Sequence, residues 1–313
     1  MAQYKFFVQE EIDNKFKGGL VEGEAIKQWF DTNQEKLSDS FGDKIDFSEL
    51  SEKLLLEGKK DFLIWDDILK AAEMSFFADN VPFEGPSIDF CCGYGFWTSK
   101  IIQKIDLGVD LFPDEGGYNR SIEGFVEKNF IDRAYRSVLQ ADITKELPLP
   151  DNYFNSVIAV CSLEHIDEVE KVLETMHKII TDNGKLYLSL QTDKYIKVFE
   201  KIFNPEYVKW VRDNFEIKID RSWSEWERLL DQAGFTIESK KFILSEEETK
   251  IKAITYWENP FDPVWGKLGL ENAIKDIPEF RKFYFNKVKE WSQETTEADN
   301  ASIACYICQK KII

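Results

Sequence analysis

The sequence predicts an α/β fold built on a mostly parallel sheet with helices on both faces, and three observations carry that reading. From Ser87 onward, short strand-forming runs alternate with helical stretches, as a parallel sheet requires. One run, Phe154 to Leu163, is apolar almost throughout, which suits a strand covered by helices on both sides. The stretch Asp167 to Ile180 places Val169, Val172, Leu173, Met176, Ile179 and Ile180 on one helical stripe, and Asn183-Gly184 supplies a stop.

The elements follow in order. Between about Glu22 and Asn80 the spacing predicts helices, with Phe62, Trp65, Ile68, Leu69, Ala72 and Phe76 recurring at three and four. Pro82, Gly85 and Pro86 break that pattern before a strand over Ser87 to Cys91. A helix from Phe96, a strand around Gly108 to Leu111, a further helix and a strand around Arg136 to Gln140 come next. After the apolar strand and its helix, Lys185 to Leu190 alternates into a fifth strand. Ser222 to Phe235 reads as a helix opened by a capping box of Ser222 and Glu225, with Trp226, Leu229, Leu230 and Ala233 inward. Strands over Thr236 to Leu244 and Ala301 to Gln309 bring the expected total to seven. Between them, Phe280, Phe283, Tyr284, Val288 and Trp291 fall at helical spacing.

This divides the chain into an N-terminal helical preamble (1–81), a core (82–244), a helical insertion acting as lid or substrate cap (245–300) and the final core strand (301–313). At 313 residues the chain can bury a full α/β core and still carry such additions. Lys and Arg total 40 against 58 Asp and Glu, so the net charge of -18 repels phosphate backbones and nucleic acid is not expected as a partner. No segment approaches the ~20 apolar residues of a membrane span. Met1 to Leu20 has no signal-peptide core, and five unevenly placed cysteines do not form a secreted disulfide framework, so a cytoplasmic location is expected.

The run Ile88-Asp89-Phe90-Cys91-Cys92-Gly93-Tyr94-Gly95-Phe96-Trp97-Thr98 reads as strand, tight turn and helix start, the geometry of a nucleotide-type cofactor site. Gly93 and Gly95 let backbone approach a ligand without a side chain between. Asp110 ends the second strand 21 residues after Asp89, where a carboxylate can accept from ribose hydroxyls.

These residues resemble motif I and, over Gly108-Val109-Asp110-Leu111, the second motif of class I S-adenosylmethionine-dependent methyltransferases. Ala141-Asp142-Ile143, Leu147 to Phe154, Ser162-Leu163-Glu164-His165-Ile166 and Asp182 to Leu186 resemble, in order, the type 11 branch of small-molecule enzymes. The resemblance spans roughly Pro86 to Gln191, with a weaker echo in Glu225 to Phe235. It implies a Rossmann-like seven-stranded sheet and S-adenosylmethionine as cofactor. By the same resemblance Gly93, Gly95 and the Cys91 backbone would face the methionine part and Asp89 its amino group. Asp110 and Leu111 would take the ribose end, Asp142 and the Ile143 amide the adenine, and the Cys161 carbonyl would lie near the donor methyl.

Three features depart from the family pattern. Cys91 replaces the usual first glycine, tolerable if its φ is negative. Asn155 stands where an Asp usually opens the fourth strand, and the stretch from Asp110 to Asp142, with Tyr118, Asn119, Arg120 and Phe125, is long.

Methyl transfer from a sulfonium is an in-line displacement that needs alignment and exclusion of water. An oxygen acceptor must also lose a proton, and His165, just past the fourth strand, is the candidate general base, its alternative role being to orient a loop. His177 falls on the outer side of its helix and reads as a surface residue. Cys305 and Cys308, three apart on a strand, point to opposite faces, so no metal is expected. The aromatic residues Trp29, Phe30, Trp65, Phe76, Phe77, Trp210, Trp257, Trp265 and Trp291 read as core, or as walls of an acceptor pocket between preamble and insertion.

The resulting expectation is a methyltransferase with a small-molecule acceptor, the choice among oxygen, nitrogen and carbon left open. A non-catalytic binding or scaffold subunit on the same fold is the alternative. A nicotinamide dehydrogenase shares the glycine turn, but Thr98 at the third-glycine position disfavours it.

Overall fold

The computed structural model describes residues 2–9, 15–34, 40–41, 47–57, 64–80, 83–93, 95, 105–112, 122–127, 134–214, 217–218, 220–254 and 273–311. The chain opens with a hairpin, β1 (Gln3–Gln9) and β2 (Phe16–Glu22), then helix α1 (Gly23–Asn33). Short strands β3 (Ser40–Phe41) and β4 (Phe83–Glu84) pair around helices α2 (Phe47–Leu56) and α3 (Ile64–Ala78). Strands β5 (Ser87–Phe90), β6 (Ile105–Asp110) and β7 (Tyr135–Gln140) follow, with the short helix α4 (Ile122–Glu127) before β7. Next come β8 (Phe154–Val160), α5 (Val169–Ile179) and β9 (Ile180–Gln191). Helices α6 (Asp193–Ile202), α7 (Pro205–Asn214) and α8 (Trp223–Gln232) lead to β10 (Phe235–Ile243). The chain closes with α9 (Glu246–Ile254), α10 (Pro278–Gln293) and β11 (Ile303–Lys310).

One sheet takes nine of these strands in the order β10-β11-β9-β8-β5-β6-β7-β1-β2. The five central strands, β9 to β7, run parallel, and β11 returns antiparallel between β9 and β10. All seven expected strands are therefore present, and the Rossmann-like arrangement holds. The N-terminal hairpin adds two more, β1 pairing antiparallel with β7. Its sequence hid it because Phe6 is its only fully buried residue and Lys5 spends its charge on Glu123 at 2.6 Å. Gly18 allows the close approach of the two strands, since a Cβ there would overlap the Phe6 carbonyl.

The two faces of the sheet hold separate cores. On one, α1, α5 and α8 bury Ile26, Phe30, Leu173, Met176, Trp226 and Leu230 against Ile88, Val109, Val157 and Leu188. On the other, α3 and α10 bury Leu69, Met74, Phe77, Phe285 and Val288 against Val138, Ile158, Tyr187 and Ile307. The helix before the parallel strands and the helix from the insertion thus pack together on one face.

Helix α8 begins with the expected capping box: Glu225 N donates to Ser222 Oγ at 3.3 Å and Ser222 N to Glu225 Oε2 at 2.8 Å. Its Trp226 donates Nε1 to the Gln191 carbonyl at 2.9 Å. Strand β9 starts at Ile180 directly out of α5, earlier than the alternation predicts, and its pairing slips beyond Phe154 so that Asn183-Gly184 lies inside the strand. Helices α6 and α7 were not read from the sequence. They form a satellite core in which Tyr195, Phe199, Tyr207 and Val211 meet Ala253 of α9.

Candidate functional site

The chain runs outward through β5, β6 and β7, then crosses back to lay β8 on the other side of β5. Parallel sheets bind ligands at the carboxyl edge of such a reversal, where the loops diverge. Cys161, Cys91, Asp110 and Asp142 lie at or just beyond the ends of β8, β5, β6 and β7, four adjacent strands. With neighbouring strands ~4.8 Å apart, this edge spans about 15 Å.

After β5 the backbone enters the left-handed region at Cys91 (φ 53), Gly93 (φ 48) and Gly95 (φ 60). The positive φ at Cys91 does not meet the condition of a negative φ on which a cysteine is tolerable there; a side chain in this region costs about 1–2 kcal/mol. Cys92 N donates to Val109 O at 3.1 Å and Gly95 N to Cys92 O at 2.9 Å, closing the turn. A Cβ at Gly93 would meet nothing within 4 Å, whereas one at Gly95 would overlap the Tyr135 ring. On its Cβ side Gly93 thus faces none of the described residues, and Gly95 is required by packing.

Asp89, 3% exposed, accepts from the Tyr135 hydroxyl at 2.8 Å. Asp110 fastens the glycine turn: its Oδ2 accepts from Gly93 N at 2.9 Å and its Oδ1 from Phe112 N at 3.1 Å. Each carboxylate oxygen can accept a second hydrogen bond, so capacity for hydroxyl groups remains. Leu111 presents an apolar side chain that is 56% exposed beside it.

On the next strand end, Asp142 Oδ1 accepts from Thr144 N at 2.9 Å and Thr144 Oγ1 at 2.7 Å. Partial burial opposes ionisation there, but the Thr144 hydrogen bonds and Lys145 outweigh it and hold the carboxyl below the usual aspartate value. Its Oδ2 has no hydrogen-bond donor among the described residues. Ile143 is buried beneath it.

At the end of β8, Cys161 is again left-handed (φ 46), and its amide donates to Ser189 O at 2.8 Å. Its thiol lies 2.7 Å from Glu73 Oε1. Burial, joined by Glu73 and Glu164, pushes the Cys161 thiol well above its ordinary value. Burial, joined by Asp110 and Asp89, does the same to Cys91, so neither sulfur is a nucleophile. His165 closes a turn of 3-10 helix, Leu163–His165, is half-buried, and stands next to the buried Glu164, whose carboxyl burial raises above its ordinary value with His165 opposing that rise only in part.

The sequence picture of His177 changes. It is half-buried, its ring packs at 5.3 Å on Phe235, and burial followed by Lys310 lowers its pKa. Cys305 and Cys308 join the cores on opposite faces of the sheet. No group of three or more His, Cys, Asp or Glu among the described residues could hold a metal, and no described helix is long and apolar enough to cross a membrane. Phe30, Phe76 and Phe77 are core, and Trp210 stacks on Tyr207 at 5.6 Å. Tyr94, the helix from Phe96 with Thr98, Tyr118, Asn119, Arg120, Trp257 and Trp265 lie outside the described residues, as do the side chains of Trp65 and Phe125.

Three participants escaped the sequence reading: Tyr135, Glu73 and Gln140, which donates Nε2 to Leu111 O at 2.9 Å. Tyr135 and Gln140 bracket a strand whose apolar pattern gave no sign of their partners. Glu73 carried a signal, a charge amid the apolar run Ala71 to Phe77 of α3.

Residues 88–188 match the family model described as a methyltransferase domain. The chain is 24% identical over 190 residues to a demethylmenaquinone methyltransferase of Bacillus licheniformis, covering 58% of this chain and 76% of that protein. It is 22% identical over 170 residues to the protein of the same name from Lysinibacillus sphaericus, covering 54% and 71%. Among solved structures, the geranyl diphosphate C-methyltransferase of Streptomyces coelicolor superposes with a TM-score of 0.46 at 13% identity, covering 77% of this chain and 79% of that one. The chain's own strand order, rather than that superposition, carries the fold assignment.

Proposed function

We propose that this chain, a class I S-adenosylmethionine-dependent methyltransferase of the type 11 branch, transfers the methyl group to a small-molecule acceptor by in-line displacement. The observation that carries the reading is the Asp110 carboxylate, which ties the end of β6 to the glycine turn after β5. That tie makes one continuous edge from Cys161 to Asp142. The groups along it suit an adenosyl ligand: Gly93 with no described side chain against it, spare acceptor positions on Asp110, the exposed Leu111 and an Asp142 oxygen with no donor among the described residues.

Bound S-adenosylmethionine supplies an electrophilic methyl on a positively charged sulfur. The protein supplies position and the exclusion of water. In this reading the Cys91–Gly95 turn, with no side chain at Gly93 or Gly95, lies against the methionine end, and Asp89, steadied by Tyr135, holds its ammonium. Asp110 orients the ribose, while Asp142 and the Ile143 amide hold the adenine edge against Leu111. The Cys161 carbonyl lines the reacting end. His165 takes the proton from an oxygen acceptor, a role that suits a half-exposed imidazole at that edge.

The small-molecule character of the acceptor draws support from the relatives, which are demethylmenaquinone methyltransferases. The net charge of -18 further argues against a nucleic-acid substrate. The test is incubation of the chain with methyl-labelled S-adenosylmethionine and a small-metabolite extract. Label in a compound below protein size supports the reading, and label appearing only in protein or RNA overturns it.

A further inference from the structure

The polar groups around Cys161 exceed what a methyl-donor cleft requires. Glu73 arrives from α3, ahead of the parallel strands, and is completely buried. Its Oε1 accepts from the Cys161 thiol at 2.7 Å and from the Ser189 hydroxyl, and its Oε2 accepts from Lys70 Nζ at 2.8 Å. A second carboxylate, Glu164, stands just past β8, is 2% exposed, and its Oε2 has no hydrogen-bond partner among the described residues. Glu164 feels the charges of both Glu73 and Lys70, and its own charge reaches Cys91 and Cys161.

Buried carboxylates are costly unless paired and hydrogen-bonded. Here Glu73 is paired with Lys70, while Glu164 Oε2 accepts from none of the described residues. Among the described residues the cluster therefore lacks a hydrogen-bond donor, and it lacks it at the β5–β8 reversal, against the two cysteines that border the proposed donor cleft. The α3 residues are no part of the segment that matches the methyltransferase domain, which begins at Ile88.

We propose that α3 completes the acceptor site: Glu73 and Glu164 form a buried carboxylate pair that receives an O–H or N–H group of the acceptor, carried on or beside the atom that is methylated. This rests on the reading of the Cys161–Asp142 edge as the methyl-donor cleft. Glu164 Oε2 takes the hydrogen bond, and Glu73, held by Lys70, Cys161 and Ser189, fixes the wall opposite. Hydroxyl- and amine-bearing acceptors, neutral or cationic, satisfy the open acceptor position. Carboxylate or phosphate groups at that point meet the Lys70-paired Glu73 carboxylate and bring no donor for the Glu164 oxygen, so the pair selects against them.

The test uses the full chain, methyl-labelled S-adenosylmethionine and a small-metabolite extract, with products identified by mass spectrometry, for wild type, Glu73→Gln and Glu164→Gln. Calorimetry with S-adenosylhomocysteine and a thermal melt accompany each protein. The expected wild-type product bears an oxygen or nitrogen at the methylated position or on its neighbour. Each variant is expected to melt as a folded protein, bind S-adenosylhomocysteine within about twofold of wild type, and lose about tenfold or more of the labelling rate.

The proposal is overturned if the wild-type chain binds S-adenosylhomocysteine yet labels no such compound, or methylates a carboxylate. It is equally overturned if Glu164→Gln labels at the wild-type rate, or if that variant loses S-adenosylhomocysteine affinity in step with labelling, which would assign Glu164 to the donor. Absence of S-adenosylhomocysteine binding by wild type instead removes the donor-cleft reading beneath the proposal, and the proposal falls with it.

Discussion

The Tyr135 hydroxyl donates to Asp89 Oδ2 at 2.8 Å, while the ring of the same tyrosine fills the space in which a Cβ on Gly95 would stand. One side chain from β7 therefore sets both the carboxylate at the end of β5 and the glycine turn that follows it. Removing the hydroxyl leaves a buried carboxylate short of a donor, which costs about 1–3 kcal/mol. Tyr135→Phe is expected to lower the unfolding free energy by that amount, seen as a lower urea midpoint with an unchanged slope, and to weaken S-adenosylmethionine binding through a less well-held Asp89. A midpoint equal to wild type would contradict this.

Gly95 has no such latitude. Its φ of 60 and the Tyr135 ring both exclude a Cβ. Gly95→Ala is expected to cost more than about 2 kcal/mol of stability and to abolish cofactor binding at accessible concentrations, measured by denaturant unfolding and calorimetry.

Cys91 offers the opposite case, a residue with a side chain where φ is 53. Relief of left-handed strain outweighs the extra chain entropy of glycine by a small margin. Cys91→Gly is expected to raise stability by up to about 1 kcal/mol and to leave S-adenosylhomocysteine affinity within about threefold of wild type. Loss of stability in that variant would show that the cysteine side chain contributes packing that the strain argument omits.

Histidine titration supplies a pH test. Burial and Lys310 lower the pKa of His177 in the folded chain, so the unfolded chain binds the proton more readily. Its contribution to stability is present above the unfolded value, about 6.5, and is lost as pH falls toward the lower folded value. Only two histidines are present, so an NMR titration resolves them. The His177 resonance is expected to titrate below the ordinary range, and His177→Gln is expected to flatten the loss of stability below pH ~6.5. An ordinary His177 midpoint would contradict the buried placement.

Much of the architecture was legible because it obeys local rules. The apolar run Phe154 to Leu163 became β8, and the stripe from Val169 to Ile179 became α5, since burial on two faces or one leaves a periodic trace in sequence. The Ser222–Glu225 capping box is local chemistry and appeared where expected. The N-terminal hairpin was not legible: its partner strand β7 lies some 130 residues away, and only Phe6 is fully buried in it. The candidate edge was readable through Asp89, Gly93, Gly95, Asp110 and Asp142, because strand ends announce themselves. Glu73 and Tyr135 were not, because their importance comes from partners on distant strands, Cys161 and Asp89.

The central claim, that the edge from Cys161 to Asp142 is a cleft for an adenosyl sulfonium, meets its most direct test in calorimetry of S-adenosylmethionine, S-adenosylhomocysteine and NAD with wild type and Asp110→Ala. Losing the carboxylate frees both Gly93 N and Phe112 N, so the variant forfeits the turn's anchor as well as its hydroxyl acceptor. The account predicts one-to-one binding of the first two ligands to wild type, no heat with NAD, and an affinity at least about tenfold weaker in the variant. Equal affinity in both proteins, or binding of NAD alone, would contradict it.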